Sequence, residues 1–251
     1  MDAGQLTSED LIRALLDRIK THNPALNAVV ALNEEQALAE AREADRLRQS
    51  GTPGGALRGV PLTLKDSWQV PGMTCTSGAP LLAGHYPEHP ADIVQRLRDA
   101  GAIIIGKTNV PFFTSDIQTY NEVYGTTNNP WNRERTPGGS SGGAAAALAA
   151  GMTPREVGSD LAGSIRTPSH FCGIFGHKPS RTLVSFRGHI PGPPGTVSQP
   201  DLAEGGPMAR SARDLETLLT VIAGPRPQQA RSWQLAMEPA TLDSLAQARV
   251  G

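Results

Sequence analysis

The sequence predicts an α/β domain with a largely buried sheet. Helical patterns alternate along the chain with short apolar segments of strand length, and this alternation is typical of a sheet covered by helices. With 251 residues, of which 38% are hydrophobic, the chain is long enough to bury a sizeable core. Only 4% of the residues are aromatic, so that core must consist mainly of aliphatic side chains and alanine.

The first elements along the chain are a helix and a strand. Thr7 with Asp10 resembles a capping box at the start of an amphipathic helix, because a threonine side chain can accept the backbone N–H three residues on. Asn23 and Pro24 are expected to end this helix, since proline removes a backbone donor. Residues 26–32 (LNAVVAL) then suit a short apolar strand.

Further elements continue the alternation. A charged, alanine-rich segment predicts a helix from about residue 34 to near 51, and GVPLTLK at 59–65 predicts a strand that ends in a lysine. A helix is predicted from about 91 to 100, followed by a buried strand at 102–105 (AIII). The last predicted helix covers 211–222 and is stopped by a Gly-Pro pair.

Glycine and proline are frequent, with 27 and 21 residues respectively. They are spread through the middle of the chain without a repeat, which indicates many ordered functional loops rather than one linker. After the last predicted helix, residues 225–240 are polar and are expected to form a surface excursion.

The composition argues against several classes of partner and location. The net charge of −1 and the pI of about 6.6 give no electrostatic reason to expect nucleic acid or an anionic membrane as a partner. The acidic opening MDAGQLTSEDL is not typical of a secretory signal, and no apolar run approaches the roughly 18 residues of a membrane-spanning helix. Cys75 and Cys172 are too few for a disulfide framework, so a reduced, cytoplasmic protein is expected.

Two short patterns match known sites but lack the structural context that those sites need. Residues 101–108 (GAIIIGKT) fit the phosphate-binding P-loop pattern, but the apolar interior predicts a buried strand whose amides pair in a sheet. Residues 85–89 (HYPEH) fit a zinc-protease pattern that requires one helical face, and Pro87 would break that helix. Neither a nucleotide site nor a metal site is predicted.

A third pattern leaves an alternative open. GGSSG at 138–142 fits the nucleophile elbow of α/β-hydrolases, in which Ser140 would be the nucleophile and one of six histidines the base. An elbow needs a strand immediately before it, and the preceding NNPWNRERTP is not suited to a buried strand. The α/β-hydrolase interpretation is therefore the more remote one.

Separated motifs together give a more specific signal. They are GVPLTLKD at 59–66, GKTNVP at 106–111, NNPWN at 128–132, TPGGSSGG at 136–143, VGSDLAGSIRTPSHFCGIFGHKPS at 157–180 and GPMARSARDLETLLTVIAGP at 206–225. In this order they resemble the amidase signature family over nearly the whole chain. The resemblance implies an α/β amidase-signature fold, a mixed central β-sheet covered by helices on both faces, in a single domain over residues 1–251.

Members of that family are considerably longer than 251 residues. The resemblance therefore implies that the chain is the N-terminal part of a longer member, in which a further strand would begin at about Ala248. The sheet would be incomplete at the C-terminus, and its uncovered edge and apolar face favour self-association into a homo-oligomer or low solubility. A catalytically weak, truncated amidase fragment is accordingly one of the alternatives.

The family's chemistry implies a Ser–Ser–Lys triad, with Ser164 as nucleophile, Ser140 as proton relay and Lys65 as base. A serine hydroxyl needs a base to remove its proton, and a lysine with the ordinary pKa of about 10.4 is protonated at neutral pH. Because Lys65 ends an apolar strand, desolvation is expected to lower its pKa and favour the neutral amine. The resemblance also implies a cis peptide bond between Gly139 and Ser140.

The loop before the nucleophile is expected to bind the oxyanion. The resemblance implies that the backbone amides of Leu161, Ala162, Gly163 and Ser164 form the oxyanion hole, and that Ser141, Asp160 and Arg166 support the site. The family usually has two glycines before the nucleophile, where this chain has Ala162-Gly163. A Cβ at position 162 is harmless if φ is negative and costs on the order of 1 kcal/mol if φ is positive.

The implied function is hydrolysis of a small-molecule carboxamide to a carboxylic acid and an amine or ammonia, through an acyl-enzyme on Ser164 and without a metal or organic cofactor. A second alternative is the glutaminase component of an aminoacyl-tRNA amidotransferase, which has the same fold and triad. After the nucleophile that component usually reads GLKPTYG, whereas residues 176–182 here read GHKPSRT. The motifs leave the amide substrate open, because pocket-lining residues are not motif residues.

Overall fold

A mixed six-stranded β-sheet is the centre of the computed structural model, which describes residues 6–190, 200–226 and 228–237. In chain order the strands of these residues are β1 (Val29–Leu32), β2 (Pro61–Lys65), β3 (Ile103–Thr108), β4 (Tyr120–Asn121), β5 (Gly125–Thr126), β6 (Arg155–Asp160), β7 (Phe175–Gly176) and β8 (Glu204–Ala209). The large sheet has the order β1-β3-β2-β6-β8-β7, and β4 with β5 forms a separate antiparallel pair. Strand β2 is parallel to β3 and to β6, and the other pairs are antiparallel.

Helices cover both faces of this sheet. Those of the described residues are α1 (Ser8–Leu26), α2 (Glu34–Gln49), α3 (Asp92–Asp99), α4 (Gly142–Ala149), α5 (Arg166–Cys172) and α6 (Ala212–Ile222). Along β3, Ile103 and Ile105 pack with apolar residues of α1, α2 and α4, whereas Ile104 packs with α3 and α6 on the opposite face. The prediction of a mixed sheet with helices on both faces is confirmed.

The first helix begins as predicted but ends later. Thr7 caps it, and the threonine side chain accepts a backbone N–H of the first turn. Pro24 lies inside the last turn and the helix continues to Leu26, so the predicted end at Asn23 and Pro24 is wrong. The Asn23 side chain accepts the N–H groups of residues 28 and 29, each at 2.8 Å, which stabilises the turn into β1.

The apolar segment at 102–105 is part of a longer strand. Because β3 continues to Thr108, the P-loop pattern at 101–108 lies largely within a buried strand, as its apolar interior predicts. The 85–89 pattern is not helical. Over residues 6–190, 200–226 and 228–237, no group of His, Cys, Asp and Glu side chains is arranged to hold a metal ion. No helix in these ranges is long and apolar enough to cross a membrane.

Strands β6 and β8 are not predicted by the sequence patterns. Their sequences, REVGSD and EGGPMA, contain charges, glycines and a proline and show no apolar alternation. They nevertheless pair with each other along their whole length inside the sheet. The polar side chains of β6 are buried there, which places charged and hydroxyl groups next to the end of β2.

The loop before Ser140 and the C-terminal residues are also assigned structures from the sequence. Residues 127–141 contain no strand, which argues against the nucleophile-elbow interpretation of Ser140. In the 225–240 segment, residues 228–234 are exposed, and its end lies outside the described residues. The strand expected to begin at about Ala248 also lies outside them.

Candidate active site

The glycine-rich loop at 136–143 brings Ser140 to the sheet. The peptide bond between Gly139 and Ser140 is cis, as predicted. Gly138 has a φ of 84°, a conformation that favours glycine, and a Cβ added there would approach the Cα of Pro168 to 2.9 Å. Helix α4 begins at Gly142, at the end of the loop, and its alanines at 144–147 are buried. The alanine-rich run is therefore a core helix packed behind the loop, not a flexible linker.

Lys65 is the last residue of β2, and its side chain is completely buried. Its Nζ lies 2.7 Å from Oγ of Ser140, 2.9 Å from Oγ of Ser159 and 3.3 Å from the Ser159 carbonyl oxygen. Burial lowers the pKa of Lys65 to about 7, although the charges of Asp160 and Glu156 act in the opposite direction. No ion pair of the described residues includes Lys65. With a pKa of about 7, a large fraction of Lys65 is neutral near neutral pH.

Asp160, the last residue of β6, organises the loop that follows. Its carboxylate accepts the backbone N–H groups of Gly163 at 2.8 Å, Ile165 at 3.0 Å and Arg166 at 3.2 Å. The Arg166 guanidinium donates two further hydrogen bonds to it, at 2.9 and 3.1 Å. Burial raises the pKa of Asp160, but the hydrogen bonds from Arg166 and the backbone outweigh this and lower it to about 2. The charged carboxylate therefore holds the backbone on both sides of Ser164.

The four expected oxyanion donors fall into two groups. The N–H of Gly163 donates to Asp160 at 2.8 Å, and its expected part in the oxyanion hole stays a prediction. The amides of Leu161, Ala162 and Ser164 make no hydrogen bond to any described residue. Gly163 has a φ of 115°, whereas Ala162 is not among the residues with positive φ, so its Cβ introduces no backbone strain.

Ser141 connects the glycine-rich loop to the loop of Ser164. Its N–H donates to the Ser164 carbonyl oxygen at 3.1 Å, and its hydroxyl donates to the Ser159 carbonyl oxygen at 3.3 Å. Ser164 itself is partly exposed, and among the hydrogen bonds of the described residues none joins its hydroxyl to that of Ser140. The structure thus brings Ser140 and Lys65 into contact and leaves the Ser164 hydroxyl without a hydrogen-bond partner among the described residues.

His189 is a residue of this site that the sequence analysis missed. Its Nε2 lies 2.8 Å from Oγ of Ser159, the same hydroxyl that contacts Lys65. The residues around it, 184–190 (VSFRGHI), carry no pattern that distinguishes this histidine from the others. Only the three-dimensional arrangement of β2, β6 and this segment brings it to the lysine.

A second buried lysine, Lys107 on β3, has a different environment. Its Nζ lies 3.0 Å from Oδ1 of Asp66 and 2.8 Å from the carbonyl oxygen of Trp68, and both charged side chains are completely buried. Burial alone would lower the pKa of Lys107, but neighbouring Cys75 and Asp66 outweigh it and raise the pKa above its ordinary value. Lys107 is therefore expected to be charged at neutral pH, as the partner of Asp66.

Comparison with known proteins identifies the family. The sequence matches the family described as Amidase over residues 10–251. The chain belongs to the amidase family. It is 43% identical over 230 residues to the A-subunit of glutamyl-tRNA(Gln) amidotransferase from Chloroflexus aurantiacus, a match that covers 92% of this chain and 46% of that protein.

Solved structures of the amidase family share this fold. The peptide amidase of Stenotrophomonas maltophilia superposes with a TM-score of 0.84 at 39% identity, covering 92% of this chain and 47% of the other. A bacterial aryl acylamidase of the amidase signature family superposes with a TM-score of 0.86 at 29% identity, covering 94% and 48%. The chain thus spans about half the length of the relatives it matches. The resemblance inferred from the motifs and the predicted fold are confirmed.

Proposed function

We propose that the chain carries the catalytic site of an amidase that hydrolyses a carboxamide through an acyl-enzyme on Ser164. The observation that carries the proposal is the contact between a buried lysine of lowered pKa, Lys65, and the hydroxyl of Ser140, which lies beside the loop of Ser164. A neutral lysine is a competent base, and a serine hydroxyl becomes a useful nucleophile once a base removes its proton.

The proposed reaction moves one proton along three side chains. As Oγ of Ser164 bonds to the substrate carbonyl carbon, its proton passes to Oγ of Ser140, whose own proton passes to Nζ of Lys65. The resulting ammonium returns a proton through Ser140 to the leaving nitrogen when the C–N bond breaks. Water then attacks the acyl-enzyme, and the same relay takes its proton and restores Ser164, so no metal or cofactor is required by this scheme.

The loop between β6 and α5 supplies the proposed oxyanion hole. The amides of Leu161, Ala162 and Ser164 have no hydrogen-bond partner among the described residues, so they are free to donate to the negative oxygen of a tetrahedral intermediate. Donors of this kind contribute about 3–4 kcal/mol each when aimed at the developing oxyanion. Asp160 and Arg166 support the proposal because they fix the backbone of this loop.

The relay requires a hydrogen bond between the hydroxyls of Ser164 and Ser140 in the reacting complex. A serine hydroxyl occupies one of three staggered positions about its Cα–Cβ bond. Hydrogen bonds of catalytic residues often form only when substrate is bound. We therefore assign the approach of the Ser164 hydroxyl to Ser140 to the substrate-bound state.

A second candidate is the glutaminase reaction of an aminoacyl-tRNA amidotransferase. It is favoured by the 38–43% identity, over 88–100% of this chain, to A-subunits of glutamyl-tRNA(Gln) amidotransferase. In that case glutamine is the amide, and partner subunits receive the ammonia. The two buried free cysteines are consistent with a reducing compartment, and we propose the cytoplasm for either candidate.

Covalent labelling tests the nucleophile, and a substrate screen separates the two candidates. A fluorophosphonate is expected to label Ser164, as shown by peptide mapping, and Ser164→Ala should abolish labelling, whereas Ser180→Ala, at an exposed serine, should not. Label on Ser140 instead would contradict the assignment. Ammonia release from glutamine but not from aliphatic, aromatic or peptide amides would favour the glutaminase, and the reverse would favour a general amidase.

A further inference from the structure

The hydroxyl of Ser159 lies between two nitrogen atoms. Its Oγ is 2.9 Å from Nζ of Lys65 and 2.8 Å from Nε2 of His189, and Ser159 is buried on β6. The structure gives this hydroxyl no other side-chain partner among the described residues. A serine hydroxyl has one proton to donate and two lone pairs to accept with, so the direction of its proton fixes what it can do for each neighbour.

Counting hydrogen atoms decides that direction. A protonated Lys65 has three N–H donors, and its three contacts are Oγ of Ser140, Oγ of Ser159 and the carbonyl oxygen of Ser159. The proposed relay requires the lone pair of neutral Lys65 to face Ser140, and in that arrangement its two N–H groups donate to the two oxygen atoms of Ser159. In both states Oγ of Ser159 accepts from the lysine, so its own proton points to Nε2 of His189.

We propose that His189 is a positioning residue for the base: by accepting the hydroxyl proton of Ser159, its Nε2 turns a lone pair of Ser159 toward Lys65 and keeps the lone pair of Lys65 directed at Ser140. This inference rests on the proposed function of Lys65. It adds two positioning side chains, Ser159 and His189, behind the three-residue relay of Ser164, Ser140 and Lys65.

The surroundings of His189 keep it a neutral acceptor. Its ring stacks on Phe186 with centroids 4.2 Å apart and meets the edge of Trp68 at 4.6 Å. Burial, and then the charges of Lys65 and Lys107, lower its pKa well below the ordinary value. A neutral imidazole has one acceptor nitrogen, which the hydrogen count assigns to Nε2. The proton then lies on Nδ1, which is buried and has no hydrogen-bond partner among the described residues.

Charged groups around the base act together with His189. Two groups on β6, Asp160 and Glu156, raise the pKa of Lys65, whereas its own burial lowers it. Of these, Glu156 has its pKa raised to about 8 by burial, so it is largely uncharged at neutral pH. Arg166 pairs with Asp160 and screens it from the lysine. None of these groups contacts the hydroxyl of Ser159, so loss of His189 changes one hydrogen bond without removing a charge.

Without an acceptor at position 189, the nearest acceptor for the Ser159 hydroxyl is the lone pair of neutral Lys65. The hydroxyl would then compete with Ser140 for that lone pair. Two effects follow together: the neutral lysine is stabilised, so its pKa falls further, and proton transfer from Ser140 slows. A residue that merely fills space would have the opposite effect on the pKa, because its loss admits water and raises the pKa of Lys65 toward the ordinary value.

The test compares His189→Phe, which keeps an aromatic ring but has no acceptor, with His189→Gln, whose amide oxygen can take the place of Nε2. The labelling rate of Ser164 by a fluorophosphonate at high pH is expected to fall by about 10-fold or more in His189→Phe, by analogy with the loss when a residue that orients a metal ligand is removed. The acid limb of the pH profile should move to lower pH, and His189→Gln should restore both. His177→Phe, at an exposed histidine, is the matched control.

A titration of Lys65 followed by nuclear magnetic resonance makes the inference testable even if Ser164 is not labelled. The pKa of Lys65 should fall in His189→Phe. In a Ser159→Ala background, which removes the hydroxyl, His189→Phe should leave the pKa of Lys65 unchanged. This second comparison can be made even if His189→Phe alone is unstable. An unchanged or raised pKa overturns the role of His189. If Lys65→Met leaves the labelling of Ser164 undiminished, the proposed function is overturned. The titration of Lys65 then still decides the role of His189.

Discussion

Two completely buried lysines lie on neighbouring strands of the sheet and differ in what faces them. In the register of β2 and β3, Lys65 is opposite Thr108 and Leu64 is opposite Lys107, so the two lysines are one residue out of step and point to opposite faces. Lys107 meets a carboxylate, that of Asp66, at 3.0 Å. Lys65 meets only hydroxyl and carbonyl oxygen atoms.

The pKa values of the two lysines move in opposite directions for this reason. Burial lowers both, but the partners of Lys107 outweigh burial and raise its pKa, whereas the pKa of Lys65 falls to about 7. Burial alone therefore does not make a lysine a base. The presence or absence of a close counter-ion decides whether it serves as a structural cation or as a proton acceptor.

The largest expected effect is on catalysis at Lys65. Lys65→Met should lower the rate of amide hydrolysis and of Ser164 labelling by about 10²–10⁴-fold, because a positioned general base contributes in that range. Lys65→Arg should be as inactive, since a guanidinium keeps its proton at any working pH. Activity within a few-fold of wild type in either variant would end the assignment of Lys65 as base.

The second effect is on stability, and it separates the two lysines. Lys107→Met leaves the Asp66 carboxylate buried without its partner and should lower the free energy of unfolding by about 3–5 kcal/mol. Lys65→Met should leave it equal or higher at pH 7 and below. Lys65 has a pKa of about 7 in the folded protein and about 10.5 in the unfolded chain, so folding either buries its charge or removes its proton. The resulting loss of folding stability is complete below about pH 7 and disappears as pH rises from about 7 to 10.5.

Chemical denaturation of both variants measures this difference. The double variant Lys107→Met with Asp66→Asn is the control, and it should lose less stability than Lys107→Met alone because no unpaired charge remains. Equal destabilisation by Lys65→Met and Lys107→Met would remove the distinction between the two environments.

The third effect is the pH dependence of the reaction. The fraction of neutral Lys65 falls tenfold per pH unit below a pKa of about 7, so the labelling rate at about pH 5 should be roughly 100-fold below its plateau. Asp160, with its pKa lowered to about 2, does not titrate in this range, and burial lowers the pKa of His189 well below its ordinary value. A profile that is flat down to about pH 5 would show that another group controls the reaction.

The smallest effect is expected at Glu156. Its carboxyl has a pKa raised to about 8 by burial, so Glu156→Gln replaces a group that is already uncharged at neutral pH. The labelling rate at about pH 7 should change by less than about threefold, which corresponds to half a pKa unit at Lys65. Relative to wild type, the variant should gain stability as pH rises from 4.5 to about 8, because only the native glutamate must retain its proton there.

Elements that follow apolar periodicity could be predicted from the sequence. The helices α1, α2, α3 and α6 and the strands β2 and β3 all show it, and their approximate positions are confirmed. The predicted end of α1 is wrong: Pro24 lies inside its last turn, and the helix continues to Leu26 although proline has no N–H to donate. The Asn23 side chain accepts the amides of residues 28 and 29, which follow the helix.

Strands β6 and β8 could not be predicted because they contain polar residues of the site and closely packed glycines instead of alternating apolar residues. Glu156, Ser159 and Asp160 make β6 polar although it is buried. In β8 a Cβ at Gly206 would overlap the carbonyl oxygen of His177, so glycine is required where strand propensity disfavours it.

The site likewise combines residues that the motifs locate with contacts that the motifs do not predict. The motifs locate Lys65, Ser140 and Ser164 in the sequence, and the catalytic roles of these residues stay predictions. The hydrogen bond from the Gly163 amide to Asp160 depends on the backbone conformation of the loop, which no motif specifies. The contact of His189 with Ser159 joins chain segments that are far apart in sequence, so only the fold reveals it.

Direct titration of the two buried lysines shows whether their different surroundings set their pKa values. Nuclear magnetic resonance of the protein with ¹⁵N-labelled lysine follows the two Nζ groups, assigned with Lys65→Met and Lys107→Met. Lys65 should titrate with a pKa of about 7, and Lys107 should stay protonated beyond the ordinary lysine pKa of 10.5. A Lys65 that titrates near 10.5, or a Lys107 that loses its proton near 7, would contradict this expectation.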